Sequence, residues 1–229
     1  MTSIESRLKS VKQAIASSAV QCDRAVEDIQ LLPVTKNHAA EKVAELYQLG
    51  ERQFAENRVQ ELLDKAKDLP SDIHWHLIGP LQSNKVRNAI KVASTIQSVD
   101  NIPLVERISR IAEEENQSID IYIQVNLTGE IQKSGANTLM LPKILKVASE
   151  AKSVNLLGLM TMGALSSSQE ENFQVFSQLK DLAEQYSDYF EAEAKLSMGM
   201  SGDFPEAIRA GTHILRVGSA IMGERAYEV

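Results

Sequence analysis

Lys36 closes the apolar run Leu31-Leu32-Pro33-Val34-Thr35, and the amphipathic segment 39–49 follows at once. This reads as a strand that delivers an amine to its carboxyl end. Low-dielectric surroundings disfavour an ammonium and lower its pKa, so an amine placed there can attack an aldehyde. The competing reading is a strand-end lysine that points into water. Two further stretches, Gly199-Met200-Ser201-Gly202 and Gly218-Ser219, each precede a helical pattern. Backbone N–H groups at helix starts bind anions, and glycines let the anion come close. Ser201 can instead cap the helix after it, and Gly218 can simply ease a tight turn. Arg216, two residues before Gly218, shares a strand face with it.

A strand-end amine opposite a phosphate cradle suits two chemistries: a Schiff-base aldolase acting on a phosphosugar, or a Schiff base with pyridoxal phosphate. Arg216 bears on the choice. A guanidinium stays protonated and only donates, so beside a pyridine nitrogen it keeps that nitrogen unprotonated and weakens the ring as an electron sink. The alternative for Arg216 is an ion pair with a carboxylate such as Glu56.

The elements that must position these groups follow a regular pattern. Ile4, Leu8, Val11 and Ile15 share one face of an opening helix. Strand patterns then fall at 31–35, 53–55, 73–78, 95–99, 119–126, 154–160, 195–197 and 213–217. Helical patterns separate them at 39–49, 57–67, 83–91, 102–115, 139–151, 169–189 and 204–210, with a short last one at 220–225. Eight βα units without a linker or composition break predict a single (β/α)8 TIM barrel over 1–229, in which the extra N-terminal helix covers for the short last one. An open doubly wound sheet is the alternative. In a barrel the functional groups gather at the carboxyl ends of the strands. There stand Lys36, Glu56-Asn57, Gly79-Pro80-Leu81-Gln82, Asn126, Met160-Thr161-Met162, Ser197 to Ser201 and Arg216 to Ser219.

Composition narrows the partners. A net charge of -7 lacks the basic footprint of a nucleic-acid or anionic-membrane binder. Charges interrupt every apolar run before membrane-spanning length. The single cysteine, Cys22, has no intramolecular partner and no charged-then-apolar leader opens the chain, so a reducing cytoplasmic setting is expected. Without a long apolar surface repeat, a monomer is expected. His74 and His76 flank Trp75 and point the same way, but only His38 and His213 remain to complete a metal site, so packing roles are expected. Met160, Met162, Met198 and Met200 read as core or cofactor-wall packing, and Glu113-Glu114-Glu115 and Glu170-Glu171 as solvated helix faces.

Several runs closely resemble the pyridoxal phosphate homeostasis proteins: Pro33-Val34-Thr35-Lys36, Phe54-Ala55-Glu56-Asn57-Arg58-Val59-Gln60-Glu61, Trp75 to Lys85, Gln124-Val125-Asn126, Gly158 to Met162, Leu196 to Ser201 and Arg216 to Gly223. The resemblance spans nearly the whole chain in order. It implies a barrel akin to the N-terminal domain of alanine racemase, of fold type III, with pyridoxal 5'-phosphate as a Schiff base on Lys36. Arg216 would face the pyridine nitrogen, Ser201, Gly218 and Ser219 the phosphate, and Asn57 the ring. Gly202 is counted with the cofactor-binding loop, although Gly202 and Phe204-Pro205 replace residues that are more often polar in the family, and Asp203 is left without a role.

Alanine racemases carry a second, β-rich domain whose tyrosine serves as the opposing acid–base, for which the 229 residues leave no room. The expected function is therefore a cofactor-holding role in vitamin B6, amino-acid and keto-acid balance without robust catalysis, with weak amino-acid racemisation as the alternative. The implied partners are the cofactor and, as its recipients, pyridoxal-phosphate-dependent apoenzymes or regulatory proteins.

Overall fold

The computed structural model describes residues 2–130, 134–164 and 168–223. In chain order its elements are α1 (Ile4–Gln21), β1 (Gln30–Pro33), α2 (Ala40–Gln48), β2 (Gln53–Glu56), α3 (Val59–Asp68), β3 (His74–Leu77), α4 (Val86–Ile90), β4 (Ala93–Val99) and α5 (Ile102–Glu114). There follow β5 (Ile119–Gln124), α6 (Leu141–Ser149), β6 (Val154–Met160), α7 (Gln169–Gln185), β7 (Lys195–Ser197), α8 (Phe204–Arg209), β8 (Ile214–Val217) and α9 (Ser219–Met222). The expected extension of the last helix to 225 lies outside the described residues.

Among the described residues eight strands form one sheet, in the order β1-β8-β7-β6-β5-β4-β3-β2, and every pairing is parallel. The two edges meet at a single bridge, Val34 to Ala55, one bond of which is the Thr35 N–H donating to Ala55 O at 3.0 Å. The sheet is thus a nearly closed TIM barrel, and the open-sheet alternative is set aside. The β1–β2 seam, next to Lys36, is thinly bonded.

Some expected boundaries move, for identifiable reasons. The first strand ends at Pro33 because the chain changes partners there: Val34 N–H donates to Val217 O at 2.9 Å, whereas Thr35 N–H turns to the other neighbour, Ala55. The fifth ends at Gln124 because Val125 and Asn126 pair with a returning loop at Ala136. The helix expected over 83–91 begins as a 3-10 turn, Ser83–Lys85, and the long helix expected to 189 stops at Gln185 before a 3-10 turn at Ser187–Tyr189.

The helices bury one stripe each against the strands. In α5 these residues are Leu104, Val105, Ile108, Ile111 and Ala112, and its start is capped by Asn101, whose side chain accepts from Leu104 N–H at 3.0 Å. The α1 stripe, Ile4, Leu8, Val11, Ile15 and Ala19, packs over α8 and α9, and the Arg7 Nε–H donates to Ile221 O at 2.6 Å. The N-terminal helix thus covers the barrel where its closing helices are short. Leu32, Val34, Ala55, Tyr122, Met160 and Ile214 form a small second cluster within the ring of strands, apart from the large core under the helices.

Gly79, just past β3, lies against the Asn57 backbone: a Cβ built on it falls 2.1 Å from Asn57 O. Gly79→Ala is therefore expected to lower the unfolding free energy by about 2 kcal/mol or more, measured by urea denaturation, because backbone has to move to admit a methyl group.

Candidate functional site

At the carboxyl ends of the strands a cavity of about 400 Å³ opens. All seven expected site residues line it: Lys36 beyond β1, Asn57 beyond β2, Ser201 and Gly202 beyond β7, and Arg216, Gly218 and Ser219 at the end of β8. Ile78, Met160, Met162 and Met200 supply apolar wall, and Gln124 and Ser134 add polar groups. Among the described residues no histidine, cysteine, tyrosine or carboxylate lines this space.

The loop after β7 is shaped by a glycine and an acid. Gly199 has φ +93, and a Cβ there would come within 2.5 Å of Ala207 Cβ. Asp203 Oδ1 accepts from the Met200 N–H at 2.5 Å, while its own N–H donates to Met200 O at 3.2 Å. Asp203, not Ser201, occupies the N-cap position of α8. Ser201 Oγ instead accepts from Ala220 N–H at 3.4 Å, which ties the two anion-binding candidate loops together. Asp203, to which no role is assigned from sequence, thus shapes this loop. Its signal was an N-cap acid directly before Phe204-Pro205.

Arg216 is 3% exposed. It makes no ion pair with Glu56, which is buried outside the barrel wall against Lys65 of α3. The guanidinium donates to Ser197 Oγ at 2.7 Å and to Thr161 O at 2.8 Å. Burial pulls its pKa down to about 10 while Asp203 acts against that shift, so the group stays charged at neutral pH.

Behind Arg216 a single file of polar side chains descends through the barrel, and its proton positions follow from the arginine. Because Arg216 only donates, the Ser197 hydroxyl hydrogen is released to Gln97 Oε1, 2.7 Å away. That turns Gln97 Nε2 toward His76 Nδ1 at 2.9 Å, which must accept, so His76 carries its proton on Nε2 and donates to Gln53 Oε1 at 3.0 Å. Gln53 Oε1 also accepts from Gln30 Nε2. His76 is thus neutral, and burial pushes its pKa from 6.5 to about 4. The other histidines are not gathered with it: His74 is exposed, and His213 Nδ1 accepts from Leu196 N–H at 3.0 Å. Among the described residues no cluster of His, Cys, Asp or Glu could hold a metal, and no helix is long and apolar enough to cross a membrane.

The model of the alanine racemase N-terminal domain matches residues 12–226. The pyridoxal phosphate homeostasis protein of Vibrio alginolyticus is 34% identical, covering 99% of this chain and all of its own length (100%). PipY of Synechococcus elongatus, solved with PLP bound, is 36% identical and superposes with a TM-score of 0.81 over 91% of this chain and 100% of PipY. An alanine racemase of Clostridium difficile shares the fold at 16% identity, with a TM-score of 0.72 over 95% of this chain and 57% of its own. The chain therefore belongs to the alanine racemase N-terminal domain family and, within it, to the pyridoxal phosphate homeostasis proteins.

The polar file makes a testable prediction. An unfolded His76 binds its proton near pH 6.5 and the folded one only near pH 4, so the unfolded state holds more protons between those values and stability falls as pH drops through that window. Between pH 7 and pH 5 His76 alone is expected to cost about 2 kcal/mol in urea denaturation. His76→Gln is expected to remove that part of the slope; an unchanged slope would show that His76 does not titrate in this way.

Proposed function

We propose that this chain binds pyridoxal 5'-phosphate as a Schiff base on Lys36 and serves vitamin B6, amino-acid and keto-acid homeostasis by holding and releasing the cofactor. The observation that carries this reading is that Lys36, Arg216 and the Ser201 and Gly218-Ser219 loops line one cavity, of a size suited to a small cofactor. The donor set fits the group. Lys36 would supply the amine, Ser201 and Ser219 hydroxyls near Gly202 and Gly218 would hold the phosphate, and Asn57 and the methionines would stand beside the ring, all of them lining this cavity. Arg216, anchored by Ser197 and Thr161, can only donate, and beside the pyridine nitrogen it would hold that nitrogen unprotonated.

When bound, pyridoxal phosphate supplies an aldehyde and an electron-withdrawing ring. An unprotonated ring withdraws less, and among the described residues only Lys36 and Arg216 bring ionisable side chains to the cavity. Both features favour retention over turnover. In this reading 1–229 is one functional unit, a cytoplasmic monomer that passes cofactor to apoenzymes or regulatory proteins.

Purified protein loaded with pyridoxal phosphate is expected to absorb in the visible range, and Lys36→Ala to abolish the band. After borohydride reduction, mass spectrometry should find the label on Lys36. A label elsewhere, or no spectral change on loading, would reject the assignment. The match to the alanine racemase model favours a second reading, weak racemisation. Loaded protein incubated with alanine or serine enantiomers in deuterated water is expected to show no sustained Cα exchange; steady exchange at enzyme-like rates would select the racemase.

A further inference from the structure

The residues on either side of Lys36 are held from outside the barrel wall by one buried ionic cluster. Thr35, fully buried, donates from Oγ1 to Glu56 Oε1 at 2.5 Å. Its carbonyl accepts from Lys65 Nζ at 2.8 Å. On the far side Asn37 is in the left-handed region, φ +61, and its N–H donates to Glu61 Oε1 at 2.5 Å. Lys65 is the hub: Nζ also lies 2.5 Å from Glu56 Oε1 and 3.0 Å from Glu61 Oε1, so all three ammonium donors are used.

Stability alone is a poor explanation for this cluster. Lys65 is 6% exposed and Glu56 0%, and Glu56 Oε2 is buried with no hydrogen-bond partner among the described residues. Burial raises the Glu56 pKa against the pull of Lys65 and Thr35. Buried ion pairs add little net stability, and apolar replacements of similar volume are often neutral or stabilising. The location is more telling. The cluster spans the β1–β2 seam, where the ladder is reduced to the Val34–Ala55 bridge. It stitches α3 and β2 to the segment that bears Lys36.

We propose that Lys65, with Glu56 and Glu61, is a positioning residue for Lys36: it fixes the peptides before and after it, so that a long flexible side chain starts from a fixed Cα and reaches the cavity in one direction. This rests on the reading of Lys36 as the cofactor-bearing amine. An anchored starting point raises the fraction of time in which the amine is placed for capture, so loss of the cluster weakens cofactor binding even where the barrel stays intact.

The test compares wild type, Glu56→Met/Lys65→Met and Glu61→Ala, each titrated with pyridoxal phosphate, reduced with borohydride and mapped by mass spectrometry, with thermal unfolding followed in parallel. The double variant removes both buried charges but strips the buried Thr35 carbonyl and hydroxyl of partners, so its unfolding midpoint is expected to move only slightly, yet it binds pyridoxal phosphate about 10-fold more weakly or worse and labels Lys36 more slowly. Capture with wild-type affinity and rate would overturn the proposal. Should the double variant fail to fold, Glu61→Ala on the more exposed arm decides: about 3-fold weaker capture is expected from the freed Asn37 N–H, and unchanged capture overturns the proposal. Wild-type protein that takes no label at Lys36 would instead defeat the underlying reading, an outcome visible before any variant is measured.

Discussion

A guanidinium buried among eight strands has to be met by acceptors, and that requirement organises the interior of this barrel. Parallel barrels are ordinarily filled by branched aliphatic side chains. Here Arg216 takes Ser197 Oγ and Thr161 O, and the hydroxyl so engaged passes the demand on through Gln97, His76 and Gln53 toward the opposite rim. Each member donates in a direction set by the one before it. An aliphatic residue anywhere in the file would leave a buried neighbour without a partner, at a cost of about 1–3 kcal/mol.

The same economy of placement appears on the outside of the wall. Lys36 projects where β1 changes partners, and the cluster of Lys65, Glu56 and Glu61 supplies bonds that the ladder omits there. The cavity is thus approached by two basic side chains supported in different ways. Arg216 is fixed from within by neutral hydrogen bonds, whereas the backbone at Lys36 is fixed from behind by charged groups. A rigid donor facing a tethered amine suits a site that holds a ring in one orientation.

Much of this was legible in the sequence because it is local. The alternation of strand and helix patterns reports eight βα units, and residues just beyond a strand stand at its carboxyl end. This is why Lys36, Asn57, Ser201, Gly202, Arg216, Gly218 and Ser219 emerge together on one cavity. Non-local facts were not legible. Glu56 looked available to Arg216, yet period-two alternation from the inward-facing Gln53 sends Glu56 outward to α3, where Lys65 waits. The partnership of Gln97 with Ser197 joins strands that are not neighbours in the sheet, and no spacing announces it. The strand pattern runs two residues past the end of β1 because a partner switch depends on β2. Asp203 carried a readable N-cap signal, but its carboxylate turns back to Met200.

In the proposed function one ring sits between an amine at position 36 and a guanidinium at position 216, with its phosphate at the loops of Ser201 and Gly218-Ser219. A crystal structure of the borohydride-reduced complex with pyridoxal phosphate tests this most directly. Continuous density is expected from Lys36 Nζ into the ring, with the pyridine nitrogen within hydrogen-bond distance of Arg216 and the phosphate against Ser201 and Ser219. A ring attached to another lysine, or one turned so that its phosphate meets Arg216, would contradict it.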